Sequence, residues 1–201
     1  QIDNEYYYCK FNDVTALACD CAFRTFDQGN FSVFNYCNFK WSGIGLEYNL
    51  NNTPCSGIAL NACYFEGNYT AIRAAIGKML TINECYFEAN YNYLIDVFNS
   101  NIVHPMLILK NSYLNIISGL SSPTQPIRQS LPYSNWTMSL VAKENNIVTG
   151  ASNMPSYFVN VENGNIAIQA ENNKVTLPNY TFPICSKTPT ESSYFNNDFS
   201  Q

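Results

Sequence analysis

Cys63-Tyr64-Phe65-Glu66-Gly67-Asn68-Tyr69 is followed, 22 residues on, by Cys85-Tyr86-Phe87-Glu88-Ala89-Asn90-Tyr91. A near-copy at that period marks a stacked-repeat architecture, in which each unit buries its apolar side only against its neighbours. The frame extends both ways when an apolar residue is required five before, three before and two after the key position. Anchors then fall at Cys9, Cys37, Cys63, Cys85, Ser112, Asn146 and Asn173, at steps of 22 to 34 residues.

Around each anchor the residues alternate as a half-buried strand does. Ile58, Leu60, Cys63 and Phe65 are expected to point inward, then Leu80, Ile82, Cys85 and Phe87, then Leu107, Leu109, Ser112 and Leu114. A second short strand follows, in Leu17 to Ala22, Ile44 to Tyr48, Ala71 to Ala75 and Leu94 to Phe98. Its alternation puts Cys19, Cys21, Leu46, Tyr48, Ile72, Ala74, Ile95 and Val97 inside and Asp20, Glu47, Arg73 and Asp96 outside, one per coil. Short strands with no helical period between them exclude βαβ units and leave an all-β solenoid. One elongated domain over residues 1–177 is expected, with an exposed proline- and serine-rich loop inserted near 118–135. A C-terminal tail or linker, 178–201, leaves the pattern and either joins another part or lies along the stack.

Composition narrows the function. Charged residues make up 12% of the chain and the net charge is −5, so no basic stripe is available for nucleic acid. No apolar run is long enough to span a membrane. The eight cysteines recur largely in the repeat frame, which reads as stacked free thiols in a core rather than a disulfide framework. They lack the paired spacing of a zinc site, and no metal or cofactor is expected. Five Asn-x-Ser/Thr triplets, at Asn30, Asn51, Asn68, Asn135 and Asn179, are what an Asn-rich chain yields by chance. The chain starts within a coil and reads as part of a longer protein.

Chemistry is expected on the outward columns. Tyr64, Tyr86 and Tyr113 form one, as candidate sugar-binding residues, with Glu66 and Glu88 two positions along the same strands. A second column carries Glu47, Arg73 and Asp96. Carboxylates about 5 Å or 10 Å apart on adjacent or alternate coils approach the separations used by glycosidases, one acid protonating the leaving oxygen and the other acting as nucleophile or activating water. Glu66, Glu88, Glu47, Asp96 and Arg73 are therefore the catalytic candidates, with simple ion pairing as the competing role of the second column. His104, before Pro105, has no catalytic partner in frame.

The repeat, together with Asn145-Asn146 and Asn172-Asn173 in the frame where earlier coils carry Cys, resembles the right-handed, single-stranded parallel β-helix family, with about seven coils. Within that family the Asn, Tyr and Phe richness and the free cysteines look most like a fragment of a bacteriophage tailspike. That resemblance implies a homotrimer on the phage tail, part of the virion and assembled in the bacterial cytoplasm, which binds bacterial surface polysaccharide and cleaves it. Two further readings accompany it. One is a pectate-lyase-like enzyme, with Asp20, Glu47 and Asp96 holding calcium and Arg73 abstracting a proton. The other is a non-catalytic receptor-binding or structural stalk.

Overall fold

The computed structural model describes residues 8–25, 31–49, 56–98, 104–116, 125–149, 157–176 and 185–198. They form a parallel β-solenoid of three sheets, with no helix among them. Each coil contributes one strand to each sheet in turn. The first sheet stacks eight strands, Tyr8–Asn12, Phe31–Asn35, Gly57–Asn61, Met79–Asn83, Met106–Lys110, Thr137–Lys143, Asn165–Glu171 and Glu191–Phe195. The second stacks seven and the third six, so there are six complete turns with partial turns beyond them.

The key frame holds through the centre, since Tyr64 pairs with Tyr86 and Asn38, and Tyr86 with Tyr113, which stacks Cys37, Cys63, Cys85 and Ser112. Two anchors are corrected. Tyr113 pairs with Asn146, so the residue above Ser112 is Asn145. At the start Thr15 pairs with Asn38, which puts Val14 below Cys37, while Cys9 pairs with Ser32 inside the first sheet. The cause is local. The anchor is the inward residue that follows a left-handed corner, and those corners are at Asp13 (φ 54°) and Glu144 (φ 57°).

That corner recurs at Tyr36, Ala62, Glu84, Asn111 and Asn172, all with positive φ. Left-handed backbone costs a residue with a side chain about 1–2 kcal/mol. The cost is offset because the corner N–H keeps its interstrand bond: Ala62 donates to the carbonyl of Asn83 at 2.9 Å and Glu84 to that of Lys110 at 3.1 Å. Just inside, side chains bond to the turn. The N–H groups of Ser112, Asn145 and Asn173 donate to the Oδ1 atoms of Asn145, Asn173 and Asn197 at 3.0, 3.1 and 3.1 Å. Each Asn Nδ2 then donates to a carbonyl in the preceding coil, as from Asn145 to Leu109 at 2.9 Å.

Cysteines do the same job in the same column. Sγ of Cys63 points at the carbonyl of Phe34 at 3.5 Å and Sγ of Cys85 at that of Leu60 at 3.6 Å. Seven cysteines are free among the described residues, and Cys37, Cys63 and Cys85 are buried. Cys55 lies outside the described residues. Beneath the corner, Phe39, Phe65 and Phe87 stack at 5.1 and 5.0 Å between ring centres, filling the core at the coil spacing.

The stretch expected as an inserted loop takes part in the stack, as does part of the C-terminal stretch, expected to link to another part or to lie along the stack. Gln125–Ser130 is a strand of the third sheet, with Ile127 and Arg128 beside Ile95 and Asp96, and residues 117–124 lie outside the described residues. In the C-terminal stretch Glu191–Phe195 pairs with the first sheet, and Asn197 extends the Asn ladder.

Candidate functional site

The outward surface of the second sheet brings the tyrosines together as expected. Tyr64 and Tyr86 stack at 5.0 Å and 14°, Tyr86 and Tyr113 at 4.7 Å and 11°. Rings so placed cover one another's faces. The face of Tyr64 toward the preceding coil carries the Lys40 ammonium, 4.4 Å from the ring centre. What this column offers a ligand is an edge of hydroxyl groups.

Glu66 and Glu88 are register neighbours, as expected, and both are engaged. Lys40 Nζ lies 3.0 Å from Glu66 Oε2, and the Tyr64 hydroxyl donates to Glu88 Oε2 at 2.7 Å. Partial burial, the bond to Glu88 and the nearby carboxylates push the Tyr64 hydroxyl well above its usual range.

On the third sheet the column is Arg24, Glu47, Arg73, Asp96 and Arg128. Asp20 is not in it: the misplaced first anchor shifted the first coil, and Arg24 occupies the position assigned to Asp20. Asp20 is exposed at the corner, and Cys19, expected inside, is exposed beside it. Removing Asp20 takes away one of the three acids of the calcium-site reading. The remaining charges alternate strictly. Glu47 accepts from Arg24 Nε at 2.6 Å and Arg73 Nη1 at 3.0 Å; Asp96 lies 3.4 Å from Arg73 Nε and 3.3 Å from Arg128 Nη1. Arg128 reaches on to Glu162 at 2.8 Å.

Glu47 and Asp96 are 1% and 3% exposed, and the guanidinium groups of Arg73 and Arg128 lie over the rings of Phe98 and Tyr93. Burial pushes the Asp96 carboxyl above the usual carboxylate range, against the pull of Arg128 and Arg73. A buried acid paired on both sides is poorly placed to exchange a proton with a substrate, and Arg73, bonded to two carboxylates, is poorly placed to act as a base.

Exposed aromatic side chains occur at several places on the surface, and three of them share one corner, between the second and third sheets. Trp41, Tyr69 and Tyr91 are 61%, 60% and 38% exposed. Trp41 is a left-handed corner residue (φ 52°), and its indole lies on Gly67, the corner of the next coil. A Cβ added at Gly67 would stand 2.1 Å from Trp41 Cδ1. Just inside, Asn68 and Asn90 repeat the amide ladder, Asn68 N–H donating to Asn90 Oδ1 at 3.1 Å. Asn68, one of the five glycosylation-like triplets, is fully buried.

This ridge is not a column of like residues on a strand, so strand alternation does not reveal it. The signal was present nonetheless: Tyr69 and Tyr91 close both copies of the repeat. His104 is exposed at a turn. Among the described residues no three His, Cys, Asp or Glu side chains converge as metal ligands would. Compared with family models, with curated proteins and with solved structures, the chain shows no match.

Proposed function

We propose that this solenoid binds polysaccharide along the Trp41, Tyr69 and Tyr91 ridge and the adjoining edge of Tyr64, Tyr86, Glu66 and Glu88, without cutting it. The observation that carries the reading is the exposure of three aromatic side chains on consecutive coils at one corner. The C–H face of a sugar ring packs on such surfaces, while hydroxyl and carboxylate edges orient it by hydrogen bonds. Strands about 4.8 Å apart repeat close to the rise of a sugar unit, which suits a polymer over a small molecule. The engagement of Glu66, Glu88, Glu47, Asp96 and Arg73 in pairs favours attachment over hydrolysis or elimination. In the tailspike resemblance this corresponds to a receptor-binding segment of a virion fibre recognising bacterial surface polysaccharide, and source and location form part of the proposal.

The test is binding of the 201-residue chain to a panel of purified bacterial polysaccharides, with reducing ends assayed in parallel. Trp41→Ala and Tyr69→Ala should each weaken binding about tenfold, the worth of one stacked ring. No reducing ends should form. Reducing ends that vanish in Glu88→Gln would replace this reading with the hydrolytic one, and unchanged binding in both aromatic variants would remove the ridge.

A further inference from the structure

Acids flank the aromatic ridge on both sides. On the second sheet Glu66 and Glu88 stand immediately before the corner residues Gly67 and Ala89. On the side of the third sheet the corner column runs Asp20, Gly43, Tyr69 and Tyr91. Its coils are tied by N–H bonds from Ile44 to the carbonyl of Asp20 at 2.9 Å, from Thr70 to Gly43 at 2.9 Å and from Asn92 to Tyr69 at 2.8 Å. Gly43 admits no side chain, since a Cβ there would stand 2.6 Å from the Asp20 carbonyl oxygen. Exposed Asp20 and exposed Tyr69 therefore border a gap one coil high, their backbones about 10 Å apart.

Cations do not balance these acids. Lys40, on the same edge, lies 3.0 Å from Glu66 Oε2 and over the Tyr64 ring. Arg24, Arg73 and Arg128 are bonded to the carboxylates of Glu47, Asp96 and Glu162 in the ladder of the third sheet. Among the described residues no Lys or Arg pairs with Glu88 or Asp20. The Tyr64 hydroxyl, 2.7 Å from Glu88 Oε2, is neutral: its bond favours the ionised carboxylate without cancelling the charge. Exposed aromatic faces also attract cations, because the face of each ring is electron-rich. Rings and uncompensated carboxylates on one edge thus favour a positively charged sugar and repel uronate, sulfate or phosphate groups.

We propose that the ridge selects polysaccharide carrying free amino groups, with Glu88 as the specificity-determining residue that receives a sugar ammonium. This rests on the ridge reading above and adds the class of ligand. The ammonium forms a charge-assisted bond to Glu88 while a sugar ring stacks on the neighbouring aromatics, and Asp20 adds to the attraction at the far end of the corner.

The test compares a glucosamine oligomer with the same oligomer after N-acetylation, which keeps the backbone and turns each ammonium into a neutral amide. In mildly acidic, low-salt buffer the full chain should bind the glucosamine form at least tenfold more tightly, and added salt should narrow the gap. Glu88→Gln should weaken binding of the glucosamine form about tenfold and leave the acetylated form unchanged. Glu191→Gln, which removes the same charge from the exposed strand Glu191–Phe195 on the first sheet, should change neither. Equal binding of the two forms, with Trp41→Ala still harmful to both, overturns the amine selectivity and leaves the ridge standing. Binding of the glucosamine form that survives both Trp41→Ala and Tyr69→Ala removes the ridge itself. Equal losses in Glu191→Gln and Glu88→Gln would reduce the effect to net charge. That result, no binding of the glucosamine form, or tighter binding of an oligogalacturonate overturns the proposal.

Discussion

The side-chain oxygen of Asn173 lies 3.1 Å from the backbone nitrogen of Asn145, and its side-chain nitrogen 2.9 Å from the carbonyl of Ala142. One amide thereby pairs a buried turn donor, the Asn145 N–H, and adds a second bond to the carbonyl of Ala142 near the end of its strand. Asn173→Ala should cost about 1–3 kcal/mol, the range for one buried group left unpaired. Ser112→Asn should be neutral or stabilising, since the longer amide continues the ladder above Cys85. Denaturant melts of both variants check this, and an Asn173→Ala protein as stable as the parent would show the ladder to be idle.

Glu47 and Asp96 predict an asymmetric response to mutation. Their arginine partners are about a third exposed and rehydrate when left alone, whereas the acids do not. Arg128→Met should therefore destabilise by about 2 kcal/mol, below the range for a fully buried pair because Arg73 still serves Asp96.

The pH dependence of Asp96 follows from the direction of its shift. Burial raises its folded value above the unfolded one, so the folded state holds this proton more tightly. Its contribution to stability is complete below the ordinary Asp range and is lost as pH rises through the raised value. Arg128→Met raises that value further and should cost more at neutral pH than in acid. Carbon NMR titration of the Asp96 carboxyl reads it directly, and a value below the ordinary Asp range would contradict the argument.

The thiols should divide by reactivity. Contact with Cys63 and burial raise Cys37; Cys63, drawn down by Cys37 but pushed up more by Cys85 and burial, stands at about 12. Little thiolate forms there at pH 8. A disulfide reagent should modify exposed Cys19 quickly and leave Cys37, Cys63 and Cys85 until the chain unfolds. Rapid reaction at Cys63 in the folded protein would be incompatible with this packing.

Gly67→Ala should disturb the ridge specifically. Ala62 and Ala89 occupy the same kind of corner at φ 50° and 55°, so left-handed alanine is tolerated in this fold. What is not tolerated is the contact with Trp41. Polysaccharide binding should fall as in Trp41→Ala, and the stability cost should be relieved in the Trp41→Ala, Gly67→Ala double variant, as a double-mutant cycle would show. Undiminished binding in Gly67→Ala would place the ligand elsewhere.

The architecture was legible because its cause is periodic. Alternation decides which residues of a strand face inward, and identity repeated at the coil step places Phe65 on Phe87 and Tyr64 on Tyr86. No partner beyond the next coil is needed. The errors at Cys9 and Asn146 arose where coil length varies, since apolar spacing alone tolerates a slip that the left-handed residues at Asp13 and Glu144 forbid. Residues 125–130 read as loop because they fall in a long, proline- and serine-rich step near 118–135, although their neighbours supply a paired strand.

The sequence by itself determined the solenoid, the outward columns and the shared Cys and Asn frame, all set by contacts between a residue and its counterpart one coil away. Only the tertiary structure decided what those columns are free to do. Stacking consumes the faces of Tyr64, Tyr86 and Tyr113, and alternation of charge consumes Glu47, Arg73 and Asp96. Trp41, Tyr69 and Tyr91 stay partly open because they stand at a corner, where the chain turns away and a neighbour such as Gly67 beneath Trp41 covers only part of the ring. Exposure of that kind depends on the direction of the backbone in three dimensions, which spacing along the chain does not encode.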